Sequence, residues 1–348
     1  MQKTVYLKCL AILFVCVFIC NKTFSQERLY REYVFWGNPQ LYQQKQAFEA
    51  FSLVDQVLRE NPPSLKENLT RQLALCTMDL LVHDATNDTC TALYNYMNLR
   101  IQNVIKALDK KPVKQGMEIY KLYNDGFIVR TKSSTLAFDI IQGGKQDKPY
   151  ISDENIRALA GKCDMLFISH SHGDHASLPV AKLFMQLGKP VYVPKGLWAG
   201  EGSLIREILP QDKPFKMDIA IKDNKTLKLE VLPGHQDDIQ NNIYVVTFPE
   251  KLSVAHTGDQ YNDKDMSWIP SIKEKTSVDV LLINVWTMYL KEVLAGFNAK
   301  VVITGHENEI VHSVDHREAY WMSRKKMNKI GCNNAVIMTW GESYLFNR

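Results

Sequence analysis

Two patterns of hydrophobic and polar positions follow each other along the chain. Up to about residue 111, apolar residues recur at steps of three and four, which is the spacing of amphipathic helices. Residues 41–60 form the first predicted helix, which Asn61-Pro62-Pro63 closes because proline cannot continue a helix. Ser64 and Glu67 have capping-box spacing and open a second helix. Its apolar stripe, which we expect to be core, is Leu69, Leu73, Cys76 and Leu80.

A third helix is predicted to start near Asp88. Its expected core face consists of Leu93, Met97, Ile101, Val104 and Leu108. His83 stands alone in this region, and we expect a structural or solvent-facing role for it. The pattern indicates a helical extension that carries no visible chemistry of its own.

After Lys111-Pro112 the pattern changes to short β-rich runs that alternate with helical stretches. Asn124-Asp125-Gly126 is a turn sequence and predicts a hairpin between the first two runs. The predicted strands are residues 118–123, 126–131, 135–140, 165–169, 191–194, 226–232, 243–248, 252–255, 280–284, 301–304 and 335–339. The clearest helices are residues 178–187 and 315–327. Strands interleaved with helices over this length indicate one α/β domain.

The first 25 residues read as a secretory signal. Lys3 and Lys8 precede twelve apolar residues, CLAILFVCVFIC, and cleavage is predicted before Gln26. Twelve residues are too few for a membrane span, which needs roughly 20. We therefore expect an exported product, periplasmic or secreted, without an integral membrane span after cleavage. An uncleaved anchor or a buried core helix is the alternative. The predicted organisation is a signal peptide at 1–25, a helical extension at 26–115 and a catalytic domain at 116–348.

The charge of the chain limits its expected partners, and its cysteine content bears on the redox compartment. The chain has 42 basic and 38 acidic residues, so no electrostatic surface for nucleic acid is expected. Four cysteines remain after the signal, namely Cys76, Cys90, Cys163 and Cys332. They are compatible with disulfides in an oxidising compartment, with Cys76 and Cys90 as the first pair to consider. Four buried free thiols are the alternative.

The histidines carry the strongest chemical signal. The sequence His170-Ser171-His172-Gly173-Asp174-His175 directly follows a continuous apolar run, residues 165–168. Such a run is typical of a strand buried on both faces, and α/β proteins bind ligands at the carboxyl ends of such strands. His170 and His172 alternate like residues of extended chain and can face one ion, whereas Gly173 lets Asp174 and His175 face a second position. Imidazole and carboxylate together suit borderline cations such as Zn²⁺.

Three further β-rich runs end in a candidate ligand. They lead to His235, to Asp259 through the sequence Ala255-His256-Thr257-Gly258, and to His306. A lone histidine would be weak evidence, but three such endings beside an HxHxDH motif predict one convergent metal site.

These residues resemble the metallo-β-lactamase superfamily, whose signature is HxHxDH followed by a distal His, an Asp and a final His. The resemblance covers residues 116–348 and implies an α/β fold, a four-layer αβ/βα sandwich with a metal site at one edge. It implies that His170, His172 and His235 hold a first metal. Asp174, His175 and His306 would hold a second, with Asp259 bridging both. His256, His312 and His316 match no ligand position; His256 is expected to line the pocket, and the other two to have surface or supporting roles.

The implied activity is that of a metal-dependent hydrolase. Two divalent ions, zinc first and manganese or iron as alternatives, would share a water, lower its pKa and present hydroxide to an ester, lactone or phosphodiester. Asp174 and Asp259 are the candidate catalytic groups that orient this water or accept its proton. The catalytic region is most similar to the ascorbate-6-phosphate lactonase-like branch, and phospholipase-D-type N-acylphosphatidylethanolamine hydrolases share the ligand pattern.

Other functions remain open at this stage. The alternatives are a true β-lactamase, a mononuclear iron persulfide dioxygenase and a non-catalytic metal-binding protein. The expected partner is a small-molecule or lipid substrate, and the helical extension could cap the pocket, form a homo-oligomer or shield a sheet edge. Trp286, Tyr261, Asn308 and Trp340 follow predicted strands and could shape the pocket or simply pack.

Overall fold

The computed structural model describes residues 37–66, 68–84, 91–145, 148–210 and 213–348. The predicted signal peptide and Cys90 lie outside these residues, so the signal and the Cys76–Cys90 pair remain predictions. The three described cysteines, Cys76, Cys163 and Cys332, are free. The chain divides into two compact units, Met1–Glu49 and Ala50–Arg348. In the first, the described residues comprise only 37–49, which include the start of a helix.

In the described part of the chain, three helices precede the first strand. They are α1 (Pro39–Glu60), α2 (Leu69–Asp84) and α3 (Thr91–Leu108). Helix α2 starts later than the predicted Ser64 capping box, because the Asn68 side chain caps it by accepting a hydrogen bond from the Arg71 amide at 3.1 Å. The proposed reciprocal partner, Glu67, lies outside the described residues.

The two predicted core stripes of these helices have different outcomes. The stripe of α3 is confirmed, since Leu93, Met97, Ile101, Val104 and Leu108 are all buried. The stripe of α2 is wrong: Leu69, Leu73 and Leu80 are 70%, 62% and 71% exposed. Helix α2 instead buries a mixed face that contains Ala74, Leu75, Met78 and Val82 together with two charged residues, Arg71 and Asp79. Polar contacts of that face, described below, decide which side of the helix turns inward.

The first sheet carries the HxHxDH motif at the end of a central strand. Among the described residues it has seven strands in the order β16-β1-β2-β3-β6-β7-β8. They are β1 (Met117–Lys121), β2 (Phe127–Arg130), β3 (Thr135–Phe138), β6 (Met165–Phe167), β7 (Val191–Pro194), β8 (Ile205–Ile208) and β16 (Ser343–Phe346). The pairings from β16 through β3 are antiparallel, and those from β3 to β8 are parallel. A separate two-stranded ribbon joins β4 (Gly144–Lys145) and β5 (Lys148–Pro149).

The second sheet holds the other candidate ligands. Its described strands run in the order β15-β14-β13-β12-β11-β10-β9. They are β9 (Phe215–Ala220), β10 (Thr226–Gln236), β11 (Ile239–Thr247), β12 (Ser253–His256), β13 (Val280–Asn284), β14 (Val301–Gly305) and β15 (Ala335–Val336). The edge strands β8, β9 and β16 escaped prediction because each is short and mixes exposed with buried residues.

The two sheets pack face to face through a shared apolar core. Phe167 of the first sheet stacks on Phe138 at 5.2 Å and meets Tyr244 of the second sheet at 5.1 Å between ring centroids. The Tyr244 hydroxyl donates to the Ile168 carbonyl at 2.8 Å, which ties the second sheet to the backbone just before the HxHxDH motif. Burial of this apolar surface is the main stabilising term for such a sandwich.

Helices cover the outer faces of both sheets. They are α4 (Asp153–Lys162), α5 (Leu178–Gln186), α6 (Ile272–Lys275), α7 (Leu290–Phe297) and α8 (Tyr320–Lys329). Their buried residues include Ile156 and Phe184 on one side and Val293, Phe297 and Met327 on the other. The predicted four-layer αβ/βα sandwich with N-terminal helices is therefore confirmed. Among the described helices none combines the length and apolarity needed to cross a membrane.

A buried carboxylate joins three neighbouring strands at the edge opposite the ligands. Asp279, which precedes β13, accepts hydrogen bonds from the Ser253 amide at 2.9 Å and from Lys300 at 2.8 Å. Burial alone would raise the pKa of Asp279, but these bonds, together with Arg348, lower it. A depressed carboxyl pKa stabilises the fold above the unfolded value of about 3.9, and this contribution is lost as the pH falls through the folded value.

We expect Asp279→Asn to lower the free energy of unfolding by about 2 kcal/mol at pH 7, because charged hydrogen bonds are lost. The difference from the parent should narrow as the pH falls below about 4, where the unfolded chain takes up the proton, and should vanish below the lowered pKa of the folded carboxyl. Urea unfolding at pH 7 and at lower pH measures both values, with the exposed Asp218→Asn on β9 as the control. An equal difference at every pH would contradict this account.

Candidate metal centre

Four strand ends bring the candidate ligands to one edge of the sandwich. The HxHxDH motif follows β6, His235 lies near the end of β10, Asp259 follows β12 and His306 directly follows β14. The backbone amide of Asn242 on β11 donates to the Ser169 carbonyl at 2.7 Å and so connects the two sheets beside the motif. The carboxyl ends of the parallel strands β12, β13 and β14, which carry polar residues, thus lie next to the loop that follows β6.

One cluster gathers donors for a second metal as the sequence resemblance implies. Asp174, His175, Asp259 and His306 each offer one donor atom, and these atoms lie within 4.8 Å of one another. Asp174 Oδ2 is 3.1 Å from His306 Nε2 and 3.2 Å from His175 Nε2. Asp259 Oδ1 is 3.1 Å from His175 Nε2. Two atoms bound to one tetrahedral ion at about 2.1 Å would be about 3.4 Å apart, so this spacing suits a shared cation.

A second cluster contains the first half of the motif. His170, His172 and Asp174 also offer donor atoms within 4.8 Å of one another. Asp259 connects the two clusters, because its Oδ2 is 3.8 Å from His170 Nε2 and 3.7 Å from His306 Nε2. Asn284 and Gln236 donate to its two oxygens at 2.5 and 3.2 Å. This carboxylate is held between the clusters, which is the position that a bridging ligand requires.

His235 is the candidate that the structure does not gather with the others. Within the described residues it joins no group of three donors at this spacing. Its Nδ1 is 3.1 Å from Asp265 Oδ1, and its side chain is 41% exposed. Asp265 is buried and also accepts from Gln260 at 2.7 Å. A carboxylate on Nδ1 fixes the ring and leaves Nε2 as the donor atom, as in many metal-ligating histidines.

A buried carboxylate orients two of the motif histidines. Asp139, which follows β3, accepts from the Ser169 amide at 2.7 Å and faces the Ser169 hydroxyl at 2.5 Å and His175 Nδ1 at 2.8 Å. Ser169 Oγ is also 3.0 Å from His170 Nδ1. The single hydroxyl proton goes to the carboxylate, which only accepts, so His170 Nδ1 must donate to Ser169. Both rings therefore carry a proton on Nδ1 and turn Nε2 towards the clusters.

The hydrogen-bond pattern fits a metal site better than an internal polar network. His170 Nε2, His175 Nε2 and His306 Nδ1 are buried without a hydrogen-bond partner. Buried polar atoms are normally paired, and each exception calls for an explanation. For the two motif histidines the unpartnered nitrogen is Nε2, because Nδ1 is engaged by Asp139 or Ser169. The residues present thus fit a divalent cation.

The histidines of the centre differ in pKa because their surroundings differ. Burial and the neighbouring His175 lower the pKa of His170 to about 3, so this imidazole is neutral and ready to bind metal. Burial would lower the pKa of His306 as well, but Asp259 and Asp174 raise it to about 9. In turn His175 and His306 hold the pKa of both carboxyls well below the usual range, against the effect of burial. In the absence of metal, protons on the histidines therefore balance the charge of the two carboxylates. A bound cation would replace these protons.

His256 does not line the pocket, contrary to expectation. It is fully buried, stacks on Phe138 at 5.3 Å and places Nε2 3.2 Å from Asp125 Oδ2 and 4.0 Å from Asp139 Oδ2. Burial would lower its pKa, but Asp125 and Asp139 raise it. His256 thus faces the two buried carboxylates behind the centre. The rim contains groups that sequence reasoning missed or left open.

Glu309 was missed, although it follows His306 by only three residues. It is 1% exposed, and its Oε2 lies 3.9 Å from His306 Nε2 and 3.4 Å from His312 Nδ1. Trp286 lies beside both histidines, at 6.0 and 6.2 Å between ring centroids. His312 is half-exposed at the rim, and His316 is exposed. Trp340 is a buried packing residue, whereas Tyr261 is 37% exposed beside the centre.

The supporting residues Asp139, Asp265, Asn124 and Asn284 were also missed. Asp139 directly follows β3 and Asn284 ends β13, whereas Asp265 lies in a short 3-10 helix. Sequence alone gives no signal that joins any of these residues to the metal centre. Asn124 lies in the β1–β2 turn and donates to the Asp174 carbonyl at 3.0 Å. The turn that was predicted for hairpin formation therefore also holds the motif.

An αβ/βα sandwich with histidine and carboxylate donors gathered at one sheet edge defines the fold class of metal-dependent hydrolases. A family model described as a beta-lactamase superfamily domain matches residues 118–304, more than half of the chain. The chain therefore belongs to the beta-lactamase superfamily, as a hydrolase with the metallo-β-lactamase fold. Among curated protein sequences none matches this chain at a significant level.

Solved structures agree with this fold. The chain is similar to Igni18, a metallo hydrolase from the hyperthermophilic archaeon Ignicoccus hospitalis, with 18% identity and a TM-score of 0.52 over 67% of this chain and 99% of that one. It is also similar to a possible metal-dependent hydrolase from Veillonella parvula, with 12% identity and a TM-score of 0.51 over 67% of this chain and all of that one. At these identities the likeness shows the fold alone.

We expect Asp139→Ala to weaken metal binding by about 10- to 100-fold, because His170 and His175 lose the partner that fixes their tautomer and orientation. Competition with a chromophoric chelator measures the dissociation constants. Asp164→Asn is a suitable control, since Asp164 also accepts a backbone hydrogen bond at a strand start, from Thr135 at 2.9 Å, but lies away from the centre. Equal affinities in parent and Asp139→Ala would show that Asp139 does not orient the ligands.

Proposed function

We propose that the protein is an exported hydrolase that binds two divalent metal ions and cleaves an ester or lactone bond. The observation that carries this proposal is the convergence of unpartnered histidine nitrogens, His170 Nε2 and His175 Nε2, on the Asp174 and Asp259 carboxylates. A seven-residue donor set shared by two ions leaves coordination positions for a reacting water, unlike a closed structural zinc site.

The proposed first-metal ligands are His170, His172 and His235, and the proposed second-metal ligands are Asp174, His175 and His306, with Asp259 shared. Zinc suits this mixture of imidazole and carboxylate, and manganese or iron would also be accepted. When bound, two such ions lower the pKa of a shared water and polarise the substrate oxygen.

The chain's own groups would complete the reaction. Asp174 is 22% exposed and Asp259 is 7% exposed, so Asp174 is the carboxylate with better access to a water and to solvent. Asp259 already accepts hydrogen bonds at both oxygens, from Asn284 and Gln236, which suits a fixed ligand. We therefore assign proton acceptance to Asp174 and bridging to Asp259.

The substrate proposal rests on the surface beyond the centre. Segments that follow His235 and Asp259 line a cavity of about 350 Å³ with Tyr261, Tyr289 and Met288. Its charged lining residues are Asp237, Asp238, Asp263 and Lys264. An excess of carboxylates disfavours an anionic substrate, so an uncharged ester or lactone is favoured over a phosphodiester. The lactone bond, but not a phosphate group, is shared with the ascorbate-6-phosphate lactonase-like branch that the sequence resembles.

The metal assignment predicts that substituting different ligands lowers the metal content of the protein by different amounts. We expect the parent to bind two equivalents, Asp259→Ala to bind less than one, and His306→Ala and His235→Ala to retain about one each, because Asp259 is the ligand that the two ions are proposed to share. Inductively coupled plasma mass spectrometry of the purified chain after reconstitution gives these values. Exposed His316→Ala is the matched control and should keep both ions. Failure of the parent to bind metal would refute the proposed function.

The chemistry is tested with a substrate panel and one conservative variant. We expect turnover of uncharged lactones and aryl esters to exceed that of a phosphodiester. Asp174→Asn should lower kcat by about 10²-fold or more, the range of general-base catalysis, at normal metal content. Full activity of Asp174→Asn with normal metal content would refute the proton role. Nitrocefin hydrolysis, or oxygen consumption with a persulfide, would move the function to a β-lactamase or a dioxygenase.

Export is tested by the mature N-terminus. We propose cleavage before Gln26, on the strength of the charged start and the short apolar stretch of residues 9–20. Mass spectrometry of the protein from the extracytoplasmic fraction should find this terminus. An intact Met1 terminus in the cytoplasm would contradict the proposal.

A further inference from the structure

Helix α2 of the helical extension turns a charged face towards the catalytic domain. Its leucines at positions 69, 73 and 80 face solvent, whereas Asp79 is 2% exposed. Burying a carboxylate is costly unless hydrogen bonds compensate for the lost water. Burial raises the pKa of Asp79 to about 6, which reflects this cost. The placement of α2 therefore depends on what Asp79 contacts.

Asp79 binds the segment that follows the metal-ligand candidate His306. Its Oδ1 accepts from Asn308 Nδ2 at 2.8 Å and from the Tyr320 amide at 2.9 Å. Its Oδ2 accepts from the Trp321 amide at 3.2 Å. Helix α8 begins at Tyr320 after Ala319, whose side chain cannot cap it. Asp79 thus caps α8 from another element and holds Asn308 at the same time.

Asn308 is held by α2 at both ends of its side-chain amide. Besides the bond to Asp79, its Oδ1 is 3.0 Å from His83 Nε2. Its backbone amide donates to the Glu318 carbonyl at 2.8 Å, and it is fully buried. The backbone φ of Asn308 is +56° and that of His306 is +69°. Left-handed conformations cost non-glycine residues energy and persist only where the surroundings impose them.

A third contact supports the same segment. Arg317 donates from Nη1 to the Val82 carbonyl of α2 at 2.8 Å, and from Nη2 to the Ile310 carbonyl at 2.7 Å. The family match ends at residue 304 and starts at 118. Both α2 and the segment 305–318 therefore lie outside the matched domain, and each supplies contacts that the other needs.

We propose that Asp79 and Asn308 form a brace by which the helical extension positions His306 as a ligand of the second metal. Asp79 is thus a positioning residue of the metal centre, although the Asp79–Asn308 contact links positions 229 residues apart. This inference rests on the proposed function, because it requires a metal at the cluster of Asp174, His175, Asp259 and His306. It assigns the extension a role in assembling the centre.

The test measures the affinity of each metal equivalent in the full chain. The variants are Asp79→Ala, Asn308→Gly and the double variant, and glycine at 308 keeps the left-handed backbone accessible while removing the amide. It also leaves Asp79 free to cap α8, so Asn308→Gly tests the brace even if Asp79→Ala fails to fold. Chelator competition with zinc gives the two dissociation constants, and thermal unfolding of the metal-free protein reports stability separately.

We expect the second equivalent to bind about 10- to 100-fold more weakly in each single variant, with the first equivalent unchanged. The double variant should bind the second equivalent no more weakly than Asp79→Ala does, because both changes remove the same Asp79–Asn308 interaction. The matched control is Arg71→Met, which removes another buried charge of α2, one that pairs with Glu342. It should lose thermal stability without any change in either metal affinity.

The possible results separate the brace from a merely structural contact. A lower unfolding temperature in Asp79→Ala and Asn308→Gly, with both zinc affinities equal to those of the parent, would overturn the brace and leave the proposed function intact. A parent that binds no second equivalent would refute the proposed function and the brace together.

Discussion

The arrangement of the centre depends on one buried carboxylate, that of Asp139. It receives the Ser169 amide, the Ser169 hydroxyl and His175 Nδ1, and through Ser169 it also fixes His170. This single acceptor decides which nitrogen of each ring carries the proton. The orientation of the unpartnered Nε2 atoms of His170 and His175 follows from that choice. The carboxylate itself is balanced by His256 on the side away from the ligands.

Buried charge also supports the loop that carries His306. Lys121 of β1 and Glu307 form a fully buried ion pair, and Lys121 Nζ also donates to the Thr304 carbonyl at 2.9 Å. Asp79 and Asn308 hold the same loop from the extension. Removing one partner of a buried pair leaves an uncompensated charge, so such pairs specify one loop conformation. The rigid strand β14 and these polar contacts together define where the last ligand lies.

The sequence predicted the parts of the molecule that local patterns encode. Continuous apolar runs such as residues 280–284 matched strands, and the α3 stripe from Leu93 to Leu108 is core. The HxHxDH motif and the ends of β12 and β14 indicated residues that do converge. The α2 stripe failed because long-range polar contacts of Arg71 and Asp79 outweigh the burial of Leu69, Leu73 and Leu80. Asp139 and Asn308 acquire their roles through contacts that are distant in sequence, which no local spacing reveals.

The central claim is that histidine Nε2 atoms oriented by Asp139 and Ser169 bind metal together with Asp174 and Asp259. Anomalous X-ray diffraction at the zinc absorption edge, on crystals of the zinc-loaded protein, tests it most directly. The account predicts two anomalous peaks, one against His170 Nε2 and one against His175 Nε2 and His306, with Asp259 contacting both. Peaks located elsewhere, or rings that bind through Nδ1, would contradict it.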